Sequence, residues 1–222
     1  MSDREQAQPP VGVGLEGLRT AAAGCRACEL WEPATQTVFG EGPVTARVVF
    51  VGEQPGDQED REGEPFVGPA GKLLDRALGD AGINRADAYV TNAVKHFRFA
   101  PKGKRRIHQT PGSEHLRACR PWLDAEFDVL KPDIVVCLGA TAAKALISPS
   151  FRITKDRGHL LPWTLPGSPP PGDADEDEDA PSQTWMLATT HPSAILRTPD
   201  DQRPAAYDAL VADLTVVAHA LA

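Results

Sequence analysis

A dense group of basic side chains ends in a histidine in the stretch KGKRRIHQ, residues 102–109. The surrounding segment 88–113 contains no Asp or Glu, although the whole chain carries 31 acidic residues against 23 Lys and Arg. Positive charge that is segregated in this way favours a segment that contacts phosphates, and a solvated surface loop is the simpler alternative. His108 adds an imidazole, which is an adequate nucleophile when it is neutral, although a surface or phosphate-contacting histidine is more common.

The four cysteines have a spacing that is compatible with a metal centre. Cys25 and Cys28 form a Cys-x-x-Cys pair, and Cys119 and Cys137 follow far along the chain. Such a set holds zinc or an iron–sulfur cluster in many proteins, but zinc ribbons usually carry a second Cys-x-x-Cys pair. Cys137 lies inside an apolar run, so a buried thiol is the alternative for that residue.

Short apolar runs alternate with helical patterns along the chain. This order predicts an α/β fold of three αβα layers, with a mostly parallel four-stranded central sheet. The stretches GEQPGDQED, TNAVKHF and HPSAILR each follow a predicted strand directly, so we expect them to meet in one crevice at the carboxyl edge of the sheet. The predicted strands are 46–52, 88–95, 133–139 and 184–190, and the predicted helices are 15–31, 70–82, 113–131, 140–147 and 200–222.

Composition and charge describe one ordinary globular domain. We predict a disordered tail over 1–13 and a single domain over 14–222, with a disordered acidic insertion at about 167–182. The run GDADEDEDA at 172–180 carries six acidic residues, and without it the acidic and basic residues nearly balance. No apolar run is long enough for a membrane span, and the polar N-terminus does not resemble a secretory signal. We therefore expect a monomeric, cytoplasmic protein that does not bind membranes.

Four motifs and the cysteines together resemble a known family. The motifs VGEQPGDQED, PFVGPAG, TNAVKHF and HPSAILR are similar to those of the family 4 uracil-DNA glycosylases. Within that superfamily, Gln54 and the insertion KRRIH resemble the UdgX class, which becomes covalently attached to uracil-containing DNA through the histidine of the insertion. The resemblance implies that the protein cleaves the N-glycosidic bond of uracil in DNA, preferably single-stranded, and is then linked to the abasic sugar through His108.

The resemblance also implies roles for the residues that surround the base. Phe66 stacks on uracil and Asn92 reads its polar edge, whereas a core aromatic and a turn residue are the ordinary interpretations without that context. Gln54 and Asp57 are assigned to substrate binding. Gln54 replaces the small residue that is usual in turnover glycosylases, which helps to assign the class but does not explain its chemistry.

Two further residues are implied in bond cleavage. His191 donates a hydrogen bond to the departing uracil anion, and a first-turn histidine before Pro192 is the alternative. Glu53 stabilises the positive charge on the sugar, and a solvent-facing loop acid is the alternative. The remaining implied sites are the DNA-phosphate contacts Lys104, Arg105, Arg106 and Arg197, and a 4Fe-4S cluster on Cys25, Cys28, Cys119 and Cys137.

Three other functions compete with covalent capture. The nearest is a turnover uracil-DNA glycosylase that uses water as the nucleophile. A non-catalytic iron–sulfur DNA-binding module is of another class, and it does not need the hydrogen-bond donor that HPSA supplies. An electron-transfer protein is supported by the cysteines alone.

Overall fold

The computed structural model of the protein describes residues 6–163 and 184–222. Five strands form one sheet in the order β2-β1-β5-β7-β6, and β3 pairs with β4 in a separate hairpin. The strands are β1 (Val48–Gly52), β2 (Ala88–Asn92), β3 (Phe99–Lys102), β4 (Arg105–His108), β5 (Ile134–Leu138), β6 (Leu161–Trp163) and β7 (Thr184–Thr189). The helices are α1 (Leu15–Ala22), α2 (Asp57–Glu62), α3 (Pro69–Asp80), α4 (Ser113–Leu130), α5 (Ala140–Leu146), α6 (Ile153–Asp156), α7 (Pro192–Arg197) and α8 (Arg203–Leu221).

The sheet is buried on both faces, which explains why its central strands are apolar throughout. Every residue of β1 and β5 is buried, as a parallel sheet between two helical layers requires. Helices α3 and α8 pack on one face, and α4 and α5 pack on the other. The predicted three-layer α/β fold with a mostly parallel sheet is confirmed.

The sheet contains one strand more than the four that the sequence predicts. The additional strand, β6, is antiparallel to β7 and lies at the edge of the sheet. It has only three residues, Leu-Pro-Trp, and a proline is compatible with a strand only where its missing N–H is not needed, as at an edge. A run this short, with a proline at its centre, gives almost no periodic signal.

The N-terminal region is more packed and less helical than predicted. The helix predicted for 15–31 ends at Ala22, and a short 3-10 turn follows at Glu29–Trp31. Ala7, within the segment predicted as a loose tail, is buried and donates its backbone N–H to the Ala118 carbonyl. This region, with α1 and α4, forms a third apolar cluster beside the main core.

The basic stretch is a β-hairpin rather than an irregular loop. Strand β3 pairs antiparallel with β4, and Phe99 lies opposite His108. Gly103 occupies the turn with a φ of 59°, which suits the positive φ that two-residue hairpin turns demand. The hairpin leaves the carboxyl end of β2, so it carries its basic residues and His108 to the edge where the crevice was expected.

The predicted acidic insertion at 167–182 lies outside the described residues. The described residues that flank it, Trp163 and Thr184, pair with each other at the amino end of β7, away from the crevice. Within residues 6–163 and 184–222, no helix is both long and apolar enough to cross a membrane.

Candidate active site

A cavity of about 700 Å³ opens at the carboxyl ends of the parallel strands. The segments that follow β1, β2, β5 and β7 line it, as is usual for sheets of this kind. The hairpin and α7 supply further wall residues. Seven of the predicted site residues line this cavity, namely Glu53, Gln54, Phe66, Asn92, His108, His191 and Arg197.

Phe66 and Asn92 approach each other closely over Gly52. A Cβ atom at Gly52 would lie 2.3 Å from Asn92 Oδ1 and 2.8 Å from Phe66 Cζ, so only glycine fits there. Phe66 has a positive φ of 59°, a strained conformation for an aromatic residue. Its ring is inclined by 26° to that of His191, with 6.2 Å between the ring centroids. The result is a flat aromatic surface beside a side-chain amide.

The hydrogen bonding of His191 defines its tautomer. His191 is the N-cap residue of α7, and its Nδ1 accepts the backbone N–H of Ser193 at 3.1 Å. The proton of the neutral ring is therefore on Nε2. Burial lowers the pKa of His191 to about 4, and the charges of Arg197 and His108 act in the same direction. Near pH 7 the ring is a neutral donor.

The two carboxylate oxygens of Glu53 differ in their hydrogen bonding. Thr141 Oγ1 donates to Oε2 of Glu53. Oε1 is buried without a hydrogen-bond partner among the described residues, and it lies 3.5 Å from His108 Nε2. A buried carboxylate oxygen without a donor is costly, so this atom is suited to a cation or a donor that arrives with a ligand.

His108 lies beside Glu53 at the end of β4. Its side chain is 50% exposed, and its ring centroid is 6.1 Å from that of Phe97. Partial burial lowers the pKa of His108 below its ordinary value; Glu53 opposes this shift and Arg197 adds to it. A neutral imidazole is therefore the main form at neutral pH, with a free ring nitrogen facing the cavity region.

Gln54 holds the base of the hairpin. Its Nε2 donates to the backbone carbonyls of Arg98 and Gln109, each at 3.1 Å, and its Oε1 accepts the N–H of Arg98 at 3.0 Å. Although Gln54 lines the cavity, these three bonds engage its amide. The geometry differs from the predicted substrate contact and indicates that Gln54 fixes the hairpin that carries His108.

Arg106 points inward, which differs from the predicted phosphate contact. Its guanidinium pairs with Asp57 and Asp60 at 2.5 Å each, and its side chain is only 16% exposed. The same group lies 5.4 Å and 5.1 Å from the ring centroids of Phe97 and Phe99. Both carboxylates belong to α2, so their ion pairs with Arg106 attach the hairpin to that helix.

Asp57 is likewise not in the position predicted for substrate binding. Its carboxylate pairs with both Arg106 and Arg61, and it is not part of the cavity wall. Asp57 is the first residue of α2, and its pairs with Arg61 and Arg106 engage its carboxylate.

Strand alternation separates the basic residues of the hairpin. Successive side chains of a strand point to opposite faces, so Arg106 and His108 point inward whereas Arg105 and Ile107 point outward. Arg105, Ile107 and Lys104 are exposed. Three hairpin cations were predicted to bind phosphates. Lys104 and Arg105 are exposed to solvent, where a phosphate can reach them, and Arg106 is not.

Helix α7 supplies the last predicted cation. Arg197 is exposed at the cavity and donates to Ser193 Oγ at 3.1 Å. Leu196 is 37% exposed, whereas Ile195 is fully buried in the core. Of residues 195–197, Leu196 and Arg197 are therefore the two that DNA can reach.

Sequence reasoning missed two residues that organise the site. Thr141 donates a hydrogen bond to Glu53. Its position in the first turn of α5, directly after the buried strand β5, is the sequence feature that could have identified it. Glu59 is the second of these residues. Its carboxylate accepts the N–H groups of Gly56 and Gly68, at 3.1 and 2.9 Å, and so fixes the loop that carries Phe66.

Comparison with known proteins agrees with this geometry. The model of the uracil DNA glycosylase superfamily matches residues 39–215. The chain is 40% identical over 189 residues to a type-4 uracil-DNA glycosylase of Archaeoglobus fulgidus, covering 83% of this chain and 84% of that protein. It is 39% identical over 174 residues to a type-4 uracil-DNA glycosylase of Thermotoga maritima, covering 78% of each chain. The chain belongs to the uracil-DNA glycosylase superfamily.

Three of the four cysteines of this superfamily member lie in one region. Cys25, Cys28 and Cys119 belong to the same apolar cluster. Burial raises the pKa of Cys119 to about 12, with the other two cysteines contributing. Two N–H groups reach these sulfurs at 3.2 Å, from Trp122 Nε1 to Cys25 and from Lys95 N to Cys119. Among the described residues, no three His, Cys, Asp or Glu side chains lie close enough together to hold a metal ion.

Cys137 does not fit the predicted set of four ligands. It lies within β5, fully buried in the core between the sheet and α4. Its pKa is raised to about 12 by burial alone. The apolar environment is that of a buried thiol, the alternative that its sequence context allowed.

A buried histidine is connected to the region of the other three cysteines through Thr37. His96 follows Lys95, and its Nε2 is 2.9 Å from Thr37 Oγ1. Thr37 in turn donates to the Ala22 carbonyl, which also accepts the N–H of Cys25. This chain of contacts brings a nitrogen donor to the region of the cysteines, and burial lowers the pKa of His96 to about 4.

Proposed function

We propose that the protein excises uracil from DNA and is then covalently attached to the abasic sugar through His108. The observation that carries this proposal is the placement of His108 Nε2 3.5 Å from the unsatisfied Oε1 of Glu53, on the cavity that holds Phe66 and Asn92. The relatives from Archaeoglobus fulgidus and Thermotoga maritima are type-4 uracil-DNA glycosylases, which supports uracil as the base and its N-glycosidic bond as the bond that is cleaved.

Uracil enters the cavity as a flipped-out base, because the reacting bond is inaccessible inside a stacked strand. Phe66 supplies the flat surface on which the base stacks. Asn92 is buried to 97%, and its amide both donates and accepts hydrogen bonds, which matches the polar edge of uracil. These two residues hold the base so that the sugar lies toward Glu53.

Cleavage transfers the electron pair of the C1′–N1 bond to uracil. His191 donates from Nε2–H to the oxygen on which the negative charge of the departing base develops. The sugar becomes positively charged at C1′, and the carboxylate of Glu53 stabilises that charge. Because the pKa of His191 is about 4, its ring is neutral near pH 7 and acts as a neutral hydrogen-bond donor.

Capture forms one new carbon–nitrogen bond. The lone pair of the unprotonated ring nitrogen of His108 attacks C1′, and the ring becomes a cationic imidazolium linked to the sugar. Glu53 then lies beside a positive charge that it stabilises. One nitrogen of the product ring is then bonded to C1′ and the other is protonated, so the ring has no lone pair left with which to activate water.

Turnover with water is the second candidate function. The free Oε1 of Glu53 is suited to orient a water molecule, and the named relatives are glycosylases. The two candidates differ in one observable, since capture leaves a protein–DNA adduct that survives denaturant whereas turnover releases an abasic strand.

A denaturing gel with a uracil-containing single-stranded oligonucleotide separates the candidates. We expect the protein to migrate as a stable adduct with the labelled strand, together with one equivalent of free uracil. The same oligonucleotide with thymine in place of uracil is the control and gives neither. Repeated release of uracil without an adduct establishes turnover, and binding without release of uracil establishes a non-catalytic module.

The proposal includes a 4Fe-4S cluster held by Cys25, Cys28 and Cys119, with His96 in the place first assigned to Cys137. The cluster supplies a cross-link between the N-terminal region and α4, and no step of the reaction passes through it. We expect Cys119→Ser to lose iron and visible absorption and Cys137→Ser to retain both. Loss of iron in Cys137→Ser would contradict the ligand set, and stoichiometric zinc without visible absorption would contradict the cluster.

A further inference from the structure

The crevice has two sides, and only one of them is formed by the basic hairpin. The hairpin leaves the end of β2, at one edge of the sheet. At the other edge, α6 packs against β7, and its first residue, Ile153, lines the cavity. Three strand spacings separate β2 from β7, which is about 14 Å. A nucleic acid strand that passes over the cavity therefore meets both sides.

The second side contains an arginine that is held as firmly as Arg106. Arg157 pairs with Asp213 at 2.6 Å and donates to the Ala209 carbonyl at 2.6 Å. The next residue, Gly158, donates its N–H to the Ala188 carbonyl of β7 at 2.9 Å. These bonds attach the segment after α6 to the sheet and to α8, just as Arg106 attaches the hairpin to α2.

Two other cations of this side point to solvent. Arg152 and Lys155 are exposed, and a spacing of three residues puts them on the same face of one helical turn. In the part of the chain that the structure describes, neither side chain takes part in an ion pair. The nearest acid in sequence, Asp156, accepts the backbone N–H of Arg152 at 2.9 Å, so part of its capacity is already used.

We propose that Arg152 and Lys155 bind the phosphates of the DNA strand on the side of the cavity opposite the hairpin. The two sides are then built alike. On each side an inward arginine fixes the segment, and the exposed cations next to that arginine bind the phosphates of the DNA backbone. The wall residue between them, Ile153, contacts the space that the flipped nucleotide occupies. This inference rests on the proposed function for the identity of the nucleic acid, and on the geometry alone for the surface.

The test measures how salt weakens binding to a uracil-free single-stranded oligonucleotide, which keeps the reaction out of the measurement. Each phosphate contact on a single strand contributes about 0.7 to the slope of log K against log salt concentration. We expect Arg152→Gln/Lys155→Gln to reduce that slope by about 1.4. Between 50 and 200 mM salt the double variant then loses about sevenfold less affinity than the unmodified protein.

Lys131→Gln is the matched control. Lys131 is also exposed, but it lies between α4 and the amino end of β5, away from the cavity at the carboxyl ends of the strands, so its replacement is expected to leave the slope unchanged. The inference is overturned if the double variant keeps the full slope, or if Lys131→Gln reduces it equally. Melting temperatures equal to that of the unmodified protein verify that both variants are folded.

The salt titration and the denaturing gel with uracil-containing DNA together separate this inference from the proposed function. If the unmodified protein neither releases uracil nor forms an adduct, the proposed function fails, and a reduced slope in the double variant still supports the phosphate-binding side. If uracil is released and the slope is unchanged, the proposed function stands and this inference fails.

Discussion

Two pairs of charged or ionisable side chains lie near the end of β2, and they differ in how completely their hydrogen bonds are satisfied. Lys95 and Glu126 are 1% and 0% exposed and pair at 2.5 Å. Lys95 Nζ also donates to Thr91 Oγ1 and to the Asn92 carbonyl. Glu126 accepts further bonds from three other donors, which are Gly40 N, Tyr89 Oη and Thr91 Oγ1.

The pair formed by Glu53 and His108 is incomplete in comparison. One oxygen of Glu53 has no partner within the described residues, and His108 is half exposed. A charged network with every bond made stabilises one structure, whereas an unsatisfied carboxylate beside a neutral imidazole is suited to a ligand. The difference supports a structural role for the first pair at the strand end and is consistent with the reactive role proposed for the second pair.

The largest expected effect is that of His108→Ser, which removes the proposed nucleophile from the incomplete pair. We expect complete loss of the denaturant-stable adduct and continued release of uracil, because Glu53, Asn92 and His191 remain. The measurement is a denaturing gel combined with quantification of free uracil. Gln109→Ser, one residue along the chain, is the control and keeps the adduct. An adduct that persists in His108→Ser would show that another residue is the nucleophile.

The next effect tests the satisfied pair. Glu126→Ala leaves Lys95 buried without its partner, and we expect it to lower the free energy of unfolding by about 3–5 kcal/mol. Asp128→Ala, on the exposed side of the same helix, is the control and is expected to change it little. Denaturant titration measures both.

Glu53→Gln sharpens the same comparison in the opposite direction. It removes a negative charge whose Oε1 has no hydrogen-bond partner among the described residues and keeps an acceptor for Thr141, so we expect little loss of folding stability but strongly reduced release of uracil. Equal destabilisation by Glu53→Gln and Glu126→Ala would remove the distinction between a structural pair and a reactive pair.

The sequence predicts the sheet and the crevice because both depend on local patterns. Buried β-branched runs identify β1 and β5, and the carboxyl ends of the parallel strands β1, β2 and β7 bring Glu53, Asn92 and His191 to one edge of the sheet. Strand β6 escapes prediction because three residues with a central proline form a strand only through pairing with β7.

The roles of individual basic residues depend on contacts between distant segments, which a sequence pattern does not contain. Arg105 and Arg106 are adjacent and chemically identical. Arg106 points inward because of the pairing register of the hairpin and because Asp57 and Asp60 of α2 pair with it. Cys137 is a similar case, because its spacing permits a ligand whereas its strand directs it into the core.

Asn92→Ala is expected to have a moderate effect on recognition. The amide contacts a buried polar edge of the base, and one such contact is worth about 1–3 kcal/mol. We expect weaker capture of uracil-containing strands and unchanged binding of uracil-free strands, since phosphates dominate the latter. Competition binding with the two oligonucleotides measures the difference. An equal loss for both would place Asn92 outside the base-recognition site.

The smallest expected effect is a shift in the pH dependence of capture. Attack needs neutral His108, and burial holds the pKa of His108 below its ordinary value of 6.5. Capture at saturating DNA should therefore stay fast as the pH falls to about 6.5 and decline only below it. His191 does not interfere in this range, because its pKa is about 4. Single-turnover rates of adduct formation across this range measure the midpoint.

Arg197→Gln tests the cause of that shift. The positive charge of Arg197 disfavours protonation of His108, so its removal raises the pKa of His108 and moves the decline to higher pH. The matched control is Arg105→Gln, which removes an exposed cation that does not contribute to the pKa of His108. A midpoint that stays in place in Arg197→Gln, or a capture rate that remains constant down to pH 4, would show that neutral His108 does not control the attack.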